Sequence, residues 1–188
     1  MEEKKESSSR VAAIIRQKLG RDFNADDFDE SKFDILLLEG LDLGGELSPS
    51  DKTFLERFTG AKSLNLSYCN LRSLKNMPSI PGLERLNISD NNLTGEDLHV
   101  VNQTYKKLKQ LNLSNNALRN LDYVALLSKI STLKTLDLSA NPITDINSYR
   151  QNLFEKVPLL EALDGYNREG SECSFEAGED LHYDVDDF

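Results

Sequence analysis

The side chains able to do covalent or metal chemistry are few. The chain holds two histidines, His99 and His182, and two cysteines, Cys69 and Cys173. They fall into no His/Cys ligand spacing of a zinc site. His99 lies in a predicted helix and His182 in an acidic run, so the sequence offers no His-based dyad. It carries no Gly-rich phosphate loop and no Ser nucleophile elbow. An enzyme is not expected, nor any cofactor or metal. What the chain has in quantity is carboxylate: 32 Asp+Glu against 22 Lys+Arg, for a formal net charge of −10. Eight of these acids fall in residues 169–188, at Glu169, Glu172, Glu176, Glu179, Asp180, Asp184, Asp186 and Asp187, with no Lys or Arg among them. Their spacing lacks the Gly and alternating ligands of a calcium loop. The chemistry left to them is long-range attraction of a cationic partner.

A second acidic stretch, residues 22–46, has nine acids against Lys32, and the body between the two stretches is nearly neutral. This balance argues against direct binding of nucleic acid and against a polybasic membrane contact. The N-terminal MEEKKESSSR has no apolar core of a signal peptide, and no apolar run reaches the roughly 18 residues of a membrane span. Two cysteines make no secreted disulfide framework. A nuclear and cytoplasmic protein is expected. Asn-x-Ser/Thr triplets at Asn65, Asn87, Asn102 and Asn112 are read as incidental, since three of them come from one repeated motif.

That motif organises the chain. LNLSYCNL (64–71), LNISDNNL (86–93), LNLSNNAL (111–118) and LDLSANPI (136–143) align as L-x-x-L-x-L-x-x-N/C-x-L. The first column is Ala61, Leu83, Leu108 and Leu133; the fourth is Leu64, Leu86, Leu111 and Leu136. The sixth is Leu66, Ile88, Leu113 and Leu138, the ninth Cys69, Asn91, Asn116 and Asn141, and the eleventh Leu71, Leu93, Leu118 and Ile143. A weaker copy starts at Phe33 (Leu36, Leu38, Leu41, Leu43) and a partial one spans Leu160 to Leu163. The copies are 22 to 25 residues apart, which is a leucine-rich-repeat period.

The predicted fold is therefore an α/β leucine-rich-repeat solenoid. It is right-handed, with a curved parallel sheet on the concave side and helices and turns on the convex side. Each L-x-L is a short strand with its leucines inward and the residue between them outward. Each ninth-column Asn faces inward at the following turn, where its amide can satisfy backbone groups that would otherwise be buried unpaired. Cys69 takes that place as a small, mostly apolar structural residue.

On the convex side, residues 94–105 read as a helix capped by Thr94, with Asp97 completing a capping box and Leu98, Val101 and Tyr105 on one face. Residues 122–130 read as a shorter helix or turn. Pro78 and Pro81 predict irregular backbone over 72–82.

The ends of a solenoid must be covered. RVAAIIRQKLG reads as an amphipathic helix burying Val11, Ile14, Ile15 and Leu19, capped by Ser8 or Ser9 and stopped at Gly20. SPSDKTFLERF reads as a second helix, with Ser48 as cap, Pro49 in the first turn and Asp51 three after the cap. Asn147 or Asp145 is expected to open a third, SYRQNLFEK, ending before Pro158, with Phe154 and Val157 over the last leucines. The expected organisation is an N-terminal extension and capping helix over 1–32, a repeat domain over 33–168 with a C-terminal cap over 144–168, and an acidic tail over 169–188.

The residues that could bind a partner are the outward strand positions. The candidates are Asn65, Arg85, Asn87, Gln110, Asn112, Thr135 and Asp137 on the sheet, with Tyr68, Asp90 and Asn115 in the eighth column on its rim. Tyr68 is the aromatic among them and a plausible anchor.

The segment 141–170, NPITDINSYRQNLFEKVPLLEALDGYNREG, resembles the C-terminal cap of the acidic leucine-rich nuclear phosphoprotein 32 family. The matching residues are Thr144, Tyr149, Arg150, Phe154, Pro158, Leu163, Asp164, Gly165, Tyr166 and Arg168, with an acidic stretch following as in that family. Here the acids alternate with Phe175, Leu181, Tyr183, Val185 and Phe188, whereas the family's tail is long and nearly pure Asp/Glu. The resemblance implies structural roles for Tyr149, Arg150, Asp164, Gly165 and Tyr166. It also implies a monomeric, non-enzymatic protein binder whose partners are core histones and a serine/threonine phosphatase of the 2A type. The cap is similar also to that of the spliceosomal A-prime leucine-rich protein, which implies a ribonucleoprotein scaffold as the alternative. A regulatory subunit of phosphatase 1 is a further alternative on the repeats alone.

Overall fold

The computed structural model describes residues 9–19 and 29–173. Seven strands form one sheet in chain order: β1 (Ile35–Leu37), β2 (Ser63–Asn65), β3 (Arg85–Asn87), β4 (Gln110–Asn112), β5 (Thr135–Asp137), β6 (Ala162–Leu163) and β7 (Tyr166–Asn167). The first six run parallel, and β7 turns back antiparallel on β6. In the register, Leu36, Leu64, Leu86, Leu111, Leu136 and Leu163 pair in sequence. The fourth column of the repeat is thus one continuous row, and the weak first copy and partial last copy are full members of the sheet. The first, sixth and eleventh columns are buried throughout the four strong copies.

The ninth column works as a ladder. The amide of Asn116 donates to the carbonyls of Ile88, Leu113 and Ser114 at 3.0–3.1 Å, while its oxygen accepts from Leu93 N at 3.0 Å. Asn141 repeats this one coil later, on Leu113, Leu138, Ser139 and Leu118 N. Asn91 accepts from both Cys69 N and Leu71 N. Each Asn thereby ties its own turn to the coil before it. Cys69 lies 3.2 Å from the Leu38 carbonyl and 3.3 Å from that of Ser67, so its thiol can donate to either. It can accept little, and the coil before it asks for little: Leu43 N donates instead to the Cys69 carbonyl. Burial pushes the Cys69 thiol above its ordinary pKa.

The convex side holds α3 (Leu98–Thr104) and α4 (Leu121–Ala125), the latter continuing as a 3₁₀ turn over Leu126–Lys129. Residues 72–82 cross without a helix. Leu98, Val101 and Tyr105 are buried as predicted, and the Tyr105 hydroxyl donates to the Pro78 carbonyl at 2.8 Å. The capping box at Thr94 does not form. The helix begins at Leu98, and the Asp97 carboxylate reaches back to Ser73 Oγ (2.6 Å) and Leu74 N (3.1 Å). A tie between coils replaces a local cap. Among the described residues no helix is long and apolar enough to cross a membrane.

At the N-terminal end, α1 (Arg10–Leu19) packs on α2 (Pro49–Leu55). Ser9 caps α1, its Oγ accepting from Ala12 N. Val11 and Ala12 are buried, and Ile14 and Ile15 pack against the core. The expected stop at Gly20, the alternative cap Ser8 and the side chain of Leu19 lie outside the described residues. Ser48 and Asp51 form the capping box of α2. Asp51 does more than cap. One carboxylate oxygen takes Ser48 N and Oγ, and the other takes Ser9 Oγ at 2.7 Å and Val11 N at 3.1 Å. The two end helices are therefore joined through one buried carboxylate. Gly60 admits the neighbouring 3₁₀ turn Glu30–Lys32, since a Cβ there would lie 1.9 Å from the Ser31 carbonyl oxygen.

At the other end, α5 (Tyr149–Lys156) is opened by Ser148, not by Asn147 or Asp145. Ser148 turns left-handed (φ 58°), and Asp145 instead ends a 3₁₀ turn over Pro142–Asp145.

Two predictions follow from these ties. Asn116→Ala leaves the buried Leu93 amide unpaired and takes one of two donors from each of the Ile88, Leu113 and Ser114 carbonyls, and should lower stability by about 1–3 kcal/mol in urea denaturation. Burial raises the Asp51 pKa, but hydrogen bonds from Ser48, Ser9 and Val11 outweigh it and hold the group below 3.8. A depressed folded pKa gives stability that is present above 3.8 and lost as pH falls through the folded value. Asp51→Ala should therefore cost about 3 kcal/mol at pH 7, and its gap from the native chain should narrow below pH 3.8.

Candidate protein-interaction face

The strand residues between the inward leucines face the concave side. Asn65, Arg85, Asn87, Gln110, Asn112 and Asp137 line a single open groove of about 410 Å³, together with Leu37. Four of these side chains are partly committed to their own backbone. The Oδ1 atoms of Asn65, Asn87, Asn112 and Asp137 accept from the amide two residues on, at Ser67, Ser89, Ser114 and Ser139, at 2.8–3.0 Å. Such Asx turns end each strand and start the bend below it. The Asn and Asp of this column are thus half structural, leaving the amide Nδ2 or second carboxylate oxygen to meet a partner. Asn102, the fourth glycosylation-like asparagine, is buried.

The rim is set by backbone conformation. In the eighth column Gly40, Tyr68, Asp90, Asn115 and Ala140 all have φ between 50° and 73°. Gly, Asn and Asp adopt this left-handed region at small cost, but a tyrosine or alanine there costs about 1 kcal/mol or more. Tyr68 is strained and also 58% exposed. Its phenol pKa is raised, mainly by the neighbouring Asp90 carboxylate, with burial and the Glu39 charge adding to it. Asn115 Nδ2 donates to Asp90 Oδ1 at 2.6 Å. Burial opposes ionisation of Asp90, and the hydrogen bonds from Asn115, Ser89 and Tyr68 overcome it, keeping its pKa below the ordinary value. Tyr68, Asp90 and Asn115 therefore stand in successive coils of one rim, tied by Tyr68 N to the Ser89 carbonyl, Asp90 N to the Ser114 carbonyl and Asn115 to Asp90. Thr135, half-buried on β5, has its Oγ1 without a hydrogen-bond partner among the described residues.

Two residues escaped the sequence reading. Leu37 is 60% exposed on β1, opposite Asn65, and Glu39 lies within 3.5 Å of Asn65 Nδ2. Carrying the strand register back one copy would have found both. Leu37 holds the outward place that Asn65 holds one coil later.

The C-terminal residues assigned structural roles stand together under β5. Asp164 accepts from Leu138 N at 2.7 Å and from the Tyr149 hydroxyl at 3.0 Å. Arg150 donates to the carbonyls of Leu163, Tyr166 and Asn167, and its guanidinium stacks on Phe154 and Tyr166. Gly165 supplies the left-handed turn (φ 81°) between β6 and β7. Glu169 and Glu172 are exposed; Glu176, Glu179, Asp180, Asp184, Asp186 and Asp187 lie outside the described residues. Among the described residues no three His, Cys, Asp or Glu side chains are placed to hold a metal ion. His99 is exposed on α3, near the Glu96 carbonyl.

A family model described as leucine-rich repeat matches residues 54–172. The chain is similar to an acidic leucine-rich nuclear phosphoprotein 32-related protein of Plasmodium falciparum, with 31% identity over 73% of this chain and 49% of the relative. It is similar also to the acidic leucine-rich nuclear phosphoprotein 32-related protein 2 of Caenorhabditis elegans, with 38% identity over 66% of this chain and 56% of the relative. The chain thus spans about half the length of these curated relatives. Among solved structures it matches a chain of the Drosophila melanogaster SNF/U2A′ complex at a TM-score of 0.59 and 25% identity, covering 71% of this chain and 74% of that one. The resemblance to the nuclear phosphoprotein family and the solenoid fold are both shown by these similarities.

The cap at Asp164 titrates in the opposite sense to Asp51. Burial is the main cause and the Asp137 charge adds to it, so Asp164 is raised above 3.8 despite its two donors. A raised folded pKa gives stability that is present below 3.8 and lost as pH climbs through the folded value. Asp164→Asn should therefore gain on the native chain as pH rises above 3.8, in urea denaturation across a pH series.

Proposed function

We propose, from a chain that belongs to the leucine-rich-repeat family, that it is a non-enzymatic protein-binding module acting on basic partners, core histones foremost. Its relatives are named nuclear phosphoproteins, which supports action in the nucleus. The supporting observation is the placement of charge. Asp137 lines the groove with Arg85 as the cation among its lining residues, Glu39 approaches its Asn65, Asp90 stands on the rim, and Glu169 and Glu172 begin the acidic run beyond the cap. An acidic run attracts a cationic protein over distance, while the groove supplies short-range fit. Inhibition of a serine/threonine phosphatase of the 2A type is a second activity carried over from the family. The domain division at 32/33 and 168/169 belongs to the same proposal.

Neutralising the eight acids of 169–188 to Asn and Gln tests it without removing the backbone contacts of residues 170–173. Titrated with core histones, the neutralised chain should bind at least about tenfold more weakly at low salt and show a shallower salt dependence. Equal affinity and equal salt slope would end the role of the acidic run.

A second reading has its own support in the match to a chain of the SNF/U2A′ complex. There the module would be a ribonucleoprotein scaffold that grips a protein. Nuclease-resistant recovery of a protein with an RNA-binding domain would favour that reading over histones.

A further inference from the structure

Tyr68 and Leu37 pose a problem that the repeat does not require. The eighth column turns left-handed in every coil, and its other polar members, Asp90 and Asn115, suit that turn. Tyr68 does not suit it, and its side chain gains little burial in return, being 58% exposed. Strain held in an exposed aromatic is a mark of a binding residue. Leu37 is likewise 60% exposed on the same face, where the strands that follow place Asn65, Asn87, Asn112 and Asp137. Glu39 joins the two: its carboxylate approaches Asn65, which pairs with Leu37, and the next residue, Gly40, donates to the Ser67 carbonyl beside Tyr68. Asp90 closes the far side, since Tyr68 N donates to the carbonyl of Ser89 next to it at 3.3 Å. The groove beyond is polar and carries Arg85.

We propose that Leu37 and Tyr68 form one anchoring patch at the first two strands, and that it receives a protein segment bearing an apolar side chain flanked by Lys or Arg. The apolar side chain covers Leu37 and the Tyr68 ring, and the flanking cations meet Glu39 and Asp90. An aromatic anchor ringed by polar groups is how binding energy concentrates at interfaces. The two acids select basic flanks and reject acidic ones. This rests on the reading of the chain as a binder of basic proteins, and it assigns recognition to the N-terminal end of the concave face.

The strain makes the test decisive. Tyr68→Asn puts a residue suited to the left-handed turn in place of one that is not. It should raise the melting temperature of the full chain by about 2–4 °C while weakening binding about tenfold or more. Leu37→Ser should weaken binding similarly. Ala140→Asn, in the same column but distant from the patch, should raise the melting temperature with binding unchanged. The probes are two pools of 12-residue peptides built from Ala, Gly, Lys and Arg, one with a central Leu or Phe and one with a central Ser. The anchored pool should bind and the serine pool should not. Equal binding of both pools, or undiminished binding by Tyr68→Asn, would overturn the patch. So would Tyr68-dependent binding of an RNA oligonucleotide in place of the peptides. Core histones run in parallel separate this inference from the one beneath it. Histone binding lost on neutralising the eight acids but unchanged in Tyr68→Asn keeps the histone reading and overturns the patch. Tyr68-dependent peptide binding without histone binding keeps the patch and overturns the histone reading.

Discussion

Every coil of this solenoid must reverse its chain within a few residues of leaving the sheet, and it does so beside a core of leucines. The reversal strands amides and carbonyls where water cannot reach them. The ninth-column asparagine resolves this because one side chain offers donors and acceptor at once. Asn91, Asn116 and Asn141 each bond to their own turn and to the coil before. The sheet alone could slide or splay; the amide ladder fixes the coils in register, and the concave face inherits its spacing from that.

The two ends of the ladder need another solution, since each lacks a neighbour. Both use a carboxylate drawn out of water, Asp51 wholly and Asp164 in part. Asp51 gathers four donors and joins α1 to α2; Asp164 takes a backbone amide and the Tyr149 hydroxyl beneath the last full coil. The surroundings decide the sign of each group's response to pH. Asp51 has enough donors to stay ionised against burial, whereas Asp164 has fewer and feels Asp137 nearby.

The sheet, its register and both end helices were legible because the repeat fixes which residues face inward, and spacing is a property of sequence. The failures were of a different kind. The Thr94–Asp97 box looked right locally, but Asp97 finds better donors on Ser73 and Leu74 of the coil before, which no local motif reveals. The αL conformation of Ser148, which makes no side-chain cap bond, likewise has no local signal in the sequence. On the candidate face, sequence located the outward residues yet could not tell that Asn65, Asn87, Asn112 and Asp137 spend an oxygen on their own strand ends. Nor could it weigh Leu37, because the first copy of the motif is degenerate. The strain on Tyr68 is visible only in the backbone.

The proposal assigns the anchoring contact to the N-terminal end of the concave face and the attraction of a basic partner to the acidic groups. Mapping amide chemical shifts of the full chain during titration with core histones tests that division most directly. The largest shifts should fall around Leu37, Glu39, Tyr68 and Asp90 and in residues 169–188, with α3 and α4 unmoved. Shifts centred on the convex helices, with the Leu37–Tyr68 end silent, would contradict it.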